Sequence, residues 1–75
     1  MKKMDKIRVE TKTLEGQQRA LRIADKIVID CIDGIEVLVA DSDLVRYIEH
    51  IAINHYNVQL CIKRESVCTF TVSLK

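Results

Sequence analysis

The order of polar and apolar residues predicts an α/β fold, an α+β two-layer sandwich arranged β-α-β-α-β-β, with a four-stranded mixed sheet and two helices on one face. Three observations predict it. Apolar and polar residues alternate at the start, two middle stretches repeat apolar residues every three or four positions, and alternation returns at the end. The chain has 75 residues, enough for one domain over residues 1–75. A domain of this size buries only about 60% of its unfolded surface, so its stability is expected to be marginal.

Ile7, Val9, Thr11 and Thr13 alternate with Lys6, Arg8, Glu10 and Lys12, which predicts a half-buried first strand over about residues 5–13. Leu14-Glu15-Gly16-Gln17-Gln18 then breaks the pattern and leads into helix formers. Leu21, Ala24, Val28 and Cys31 share one helical face, and the helix is predicted to run to about Ile32, with Gly34 as its left-handed stop. An alternative stays open. Ile27-Val28-Ile29 is β-branched and Asp33-Gly34 is a hairpin signal, so residues 26–32 and 35–40 could instead be paired strands.

Ile35-Glu36-Val37-Leu38-Val39-Ala40 reads as an inner strand. Asp41-Ser42-Asp43 supplies capping side chains, and Leu44, Ile48, Ile51, Ala52 and His55 follow at helical spacing, with Asn57 as a left-handed end. Val58, Leu60 and Ile62, then Cys68, Phe70, Val72 and Leu74, predict a terminal hairpin. A loop of Glu65-Ser66-Val67 would pair Arg64 with Cys68 and Ile62 with Phe70. Cys68 would then face the core and Cys61 the opposite side. The first two strands are expected to be parallel through a right-handed crossover.

Composition excludes several classes. Apolar residues make up 48% and charged residues 31%, with a net charge of +1, which excludes a disordered or collagen-like chain. No apolar run approaches the roughly 20 residues that span a bilayer. Met1 to Lys6 has no apolar stretch behind it, so no secretory signal is expected, and the chain reads as cytoplasmic. Proline is absent and glycine occurs twice, so short turns must join the elements. Cys31, Cys61 and Cys68 match neither a zinc ribbon nor a redox pair, and read as small buried hydrophobes. Charge is uneven: residues 1–26 carry eight basic against four acidic side chains, and residues 27–75 four against seven. Lys2, Lys3 and Lys6 read as a solvated end.

From Gly34 to Asp43 the chain resembles the glycine, apolar strand and acidic helix cap of the TusA/SirA-like sulfur-carrier family. Leu44 to His55, Asn57-Val58 and the closing Val72-Ser73-Leu74-Lys75 continue the likeness, and Thr13-Leu14-Glu15-Gly16 is similar to the Asp-Leu-x-Gly before the family's active loop. The resemblance covers about 60 residues of the chain. It implies this fold and, in family members, a Cys-Pro-x-Pro at the start of helix one that carries sulfur. Here Gln17-Gln18-Arg19-Ala20 stands in that place. Anchoring on Gly16 puts Arg19 at the cysteine position, and anchoring on Gly34 puts Gln17 there; neither is a nucleophile. Cys31 lies at the opposite end of the helix, where the dipole disfavours a thiolate.

The start of helix one is therefore the candidate site. Backbone N–H groups at Gly16 and its neighbours, the helix dipole and the side chains of Gln17, Gln18, Arg19, Arg22 and Lys26 are the ingredients of an anion site. The leading expectation is a carrier-like protein without the carrier cysteine that docks on protein partners, in sulfur-relay or redox assemblies. The alternative is a module for a phosphate-bearing ligand such as a flavin nucleotide, and a third is sulfur carriage by Cys31 or Cys61. No catalytic residue and no metal ligand set is predicted: His50 and His55 lie five apart, and Asp41 and Asp43 suit capping. Sulfur carriers resemble the C-terminal domain of translation initiation factor three, but near-neutral charge and three aromatics do not favour nucleic acid.

Overall fold

The computed structural model describes residues 12–75 and, as a backbone path only, residues 2–4. The element order is β1 (Lys2–Met4), α1 (Leu14–Ile32), β2 (Glu36–Val39), α2 (Ser42–His55), β3 (Leu60–Arg64) and β4 (Phe70–Leu74). The body of the sheet is the antiparallel run β2–β4–β3, and β1 lies parallel beside β2. Two helices on one sheet make the expected two-layer α/β class. Most of the strand expected over 5–13 falls on residues 5–11, outside the described ones, and its last two residues, Lys12 and Thr13, form a bend. The reading of Lys2 and Lys3 as a loose end is corrected, because their backbone pairs with Glu36 and Val37.

α1 starts earlier than the glycine suggested. Thr13 Oγ1 accepts the Gly16 N–H at 3.0 Å, so Gly16 sits inside the first turn rather than in a loop. The helix runs through residues 26–32, which overturns the paired-strand alternative. Its end is a Schellman turn: Gly34 adopts φ +92°, its N–H donates to Cys31 O at 3.0 Å, and the Ile35 N–H donates to Asp30 O at 3.0 Å. α2 begins at an Asp41 cap whose Oδ1 accepts the N–H groups of Asp43 (2.9 Å) and Leu44 (3.2 Å), and ends before Asn57 at φ 53°.

The core lies between the layers. Ala20, Ala24, Ile27, Val28 and Cys31 of α1 meet Leu44, Val45, Ile48, Ile51 and Ala52 of α2 over Val37, Val39 and Val72. Two expected core positions are corrected: Leu21 and His55 are exposed. Ala20 and Ala24 take the inner face because their small side chains let the helix backbone approach its neighbours.

The terminal hairpin keeps its predicted facing and shifts its register. Ile62 pairs with Val72 and Arg64 with Phe70, not Phe70 and Cys68. The Glu65 N–H donates to Thr69 O at 2.8 Å, so Ser66-Val67-Cys68 forms the turn. The Arg64 guanidinium holds that turn by donating to the carbonyls of Ser66 (3.1 Å) and Val67 (3.0 Å). A shift by two keeps parity, so Leu60, Ile62, Phe70 and Val72 still face the core.

Candidate functional site

Successive residues of an α-helix step by about 100°, so Arg19, Arg22 and Lys26 fall within about 60° of one another on α1. All three are exposed. Gln18, Arg19 and Arg22 line a shallow depression of about 180 Å³ together with Glu15, and Lys26 extends the ridge by one turn. Among the described residues no ion pair or hydrogen bond engages Arg19, Arg22 or Lys26.

Two of the expected site residues are withdrawn from the surface. Gly16 is buried and Gln17 half-buried. Two of the backbone donors expected to be open are engaged. The Gly16 N–H is held by Thr13 Oγ1, and the Gln17 N–H donates to Thr13 O at 3.0 Å. Glu15 adds a carboxylate to the first turn, and it offsets the dipole that an anion would use. From Arg19 onward the exposed face of the helix presents a row of cations, Arg19, Arg22 and Lys26.

Sequence reasoning missed a groove between the helices. It holds about 300 Å³ and is lined by Leu21, Arg22, Asp25, Ile51 and His55. At its edge the Tyr56 hydroxyl donates to Asp25 Oδ1 at 2.6 Å and ties the end of α2 to the middle of α1. This bond, with desolvation and the nearby negative charge, raises the Tyr56 phenol above its ordinary pKa of 10.0. The available signal was a second helical stripe in α1, Leu14, Leu21, Ile29 and Ile32, which the reading of Leu21 as core concealed.

The cysteines part company. Cys31 is fully buried, its thiol donates to Val72 O at 3.5 Å, and burial together with the charge of Asp30 pushes its pKa to about 11. Cys61 and Cys68 are exposed, so their reading as buried hydrophobes is corrected. Cys61 lies on the sheet face away from the helices, and Cys68 sits in the hairpin turn rather than the core. His50 is partnered within its own helix, its Nδ1 lying 3.2 Å from Asn54 Nδ2. No family model matches the chain, and neither a curated protein nor a solved structure matches it.

Proposed function

We propose that this protein is a small docking module, a TusA/SirA-like scaffold without sulfur chemistry, that binds an acidic protein surface through the Arg19, Arg22 and Lys26 ridge of α1. The ridge carries the reading. Three exposed cations are gathered on one face, and no partner among the described residues engages them. Such a patch steers and orients an acidic partner more than it tightens the complex. Neither Gln17 nor Arg19, at the positions aligned with the family's cysteine, can hold a persulfide, and the burial of Cys31 opposes its thiolate. Among the described residues no helix is long and apolar enough to cross a membrane. A cytoplasmic setting, where free thiols stay reduced, belongs to the same proposal.

The depression beside Gln18, Arg19 and Arg22 supports a second reading, a phosphate-bearing ligand such as a flavin nucleotide. Glu15 at its rim and the capped Gly16 N–H place that reading behind docking. An amide-resolved NMR titration separates them. Docking expects polyglutamate to shift residues 15–26 in a salt-sensitive way, with the shifts lost in Arg19→Glu. Shifts produced by inorganic phosphate or flavin mononucleotide alone would transfer the site to the second reading. Incubation with a cysteine desulfurase and cysteine, followed by mass spectrometry, tests carriage: a gain of one sulfur atom would replace docking altogether.

A further inference from the structure

We infer that the free edge of β3 takes up an extended, acidic peptide segment of another protein as an added strand, seated beside α2. This surface shares no residue with the α1 ridge. β3 ends the sheet order β1–β2–β4–β3. The Lys75 N–H donates to Gln59 O at 3.2 Å, and the Glu65 N–H donates to Thr69 O at 2.8 Å. These two bonds fix the phase of the ladder. Gln59, Cys61, Lys63 and Glu65 turn their backbone groups toward β4, and Leu60, Ile62 and Arg64 turn theirs outward. Among the described residues no hydrogen bond reaches those outward groups. Their donors and acceptors recur every two residues, about 6.8 Å, the repeat that another extended backbone matches.

The flanking helix specifies the side chains. A cleft of about 230 Å³ lies between α2 and this edge, lined by Ala52, Ile53 and Leu60 with Glu49, Gln59 and Lys75. The Val58 N–H donates to Ala52 O at 2.9 Å and holds the start of the strand against the helix. Leu60 and Ile62 are half-buried, and Ile53 is 57% exposed. A strand laid antiparallel on β3, the more stable pairing, sets its residues opposite Leu60 and Ile62 on this helix side, where apolar side chains fit. Its residues opposite Cys61 and Lys63 face the outer side. Charge then chooses the occupant. Glu49 and Lys75 cancel within the cleft, and Glu65 accepts the Thr71 hydroxyl at 2.8 Å. β3 itself holds Lys63 and Arg64 and no carboxylate. A second copy on the same edge brings both pairs of cations together, whereas an acid opposite Lys63 forms a cross-strand ion pair. The occupant is an extended segment with apolar residues at alternate positions and an acid between two of them.

Amide hydrogen exchange by NMR tests the inference, on the full chain in reductant because Cys61 and Cys68 are exposed, with the capped peptide Val-Glu-Val-Thr-Val as probe. In the free protein the amides of Leu60, Ile62 and Arg64 are expected to exchange rapidly and those of Cys61 and Lys63 slowly. Millimolar peptide should protect Leu60, Ile62 and Arg64 and shift residues 49–53. Methylating the valine nitrogens, which face β3, should weaken binding about tenfold. Methylating the glutamate and threonine nitrogens, which face away, should leave it intact. Lys63→Glu should reverse the preference, toward a peptide with lysine in place of glutamate. No protection at millimolar peptide, equal binding of the two methylated peptides, or a preference unchanged in Lys63→Glu overturns the inference. Protection that grows with protein concentration alone overturns it as well and assigns the edge to a second copy. Shifts confined to residues 15–26 overturn it and leave docking on the α1 ridge standing.

Discussion

Cys31 and Cys61 carry the same thiol in opposite surroundings, one sealed between the layers and one on the outer sheet face. In the native protein at neutral pH, Ellman's reagent is expected to modify Cys61 and Cys68 rapidly and Cys31 only after unfolding. Three thiols reacting at one rate would contradict the buried assignment. The raised pKa has a sign. The protonated thiol is favoured by the fold, so its contribution is complete below the ordinary value of 9.0 and is lost as pH climbs through about 11. Tyr56 behaves in the same direction, stabilising below its ordinary 10.0 and failing above its raised value. Tyr56→Phe should lower the melting temperature at neutral pH, and the gap from wild type should close in strongly alkaline buffer. The facing of Cys31 and Cys61 was legible from periodicity, but the bonds that hold Tyr56 and Cys31 were not, because Asp25 and Tyr56 are 31 positions apart and Cys31 and Val72 are 41.

Helix ends show how local chemistry sets element boundaries. Gly34 has open space where a Cβ would go, so substitution there is opposed by backbone torsion alone. Gly34→Ala is therefore expected to destabilise by about 1–2 kcal/mol, read from denaturant unfolding, while an unchanged midpoint would contradict the left-handed turn. Removing the α2 cap by Asp41→Ala should cost about 1 kcal/mol. These features were legible because each depends on neighbours within a few residues. The hairpin register was legible only as a parity. Apolar alternation required Leu60, Ile62, Phe70 and Val72 to share a face, but both a Glu65-Ser66-Val67 and a Ser66-Val67-Cys68 loop satisfy that. Arg64, by binding the carbonyls of Ser66 and Val67, fits the second. α1 posed a similar choice between two stripes of equal periodicity, and hydrophobicity favoured Leu21 where close packing favoured Ala20.

A small two-layer domain has one core and little reserve. Ile48 is fully buried at its centre, and Ile48→Ala should cost about 2–5 kcal/mol. Against a total of about 5–15 kcal/mol, that change is expected to leave much of the population unfolded at moderate temperature. Leu14→Ala, at a mostly exposed position, should shift stability by less than about 0.5 kcal/mol. Equal losses from the two would mean that the inner and outer stripes are misassigned.

Periodicity, capping residues and the left-handed positions were enough to read the succession of elements from α1 onward, the two-layer class and the exposed arginines, since short-range hydrogen bonds and side-chain spacing govern all of them. Packing chose the rest: which α1 stripe turned inward, which thiols met solvent, how the hairpin registered, and that Gln18, Arg19 and Arg22 share a depression while Gly16 sinks beneath them. Those outcomes compare contacts between distant segments, where small differences in fit outweigh local preference, and no window along the chain contains both partners.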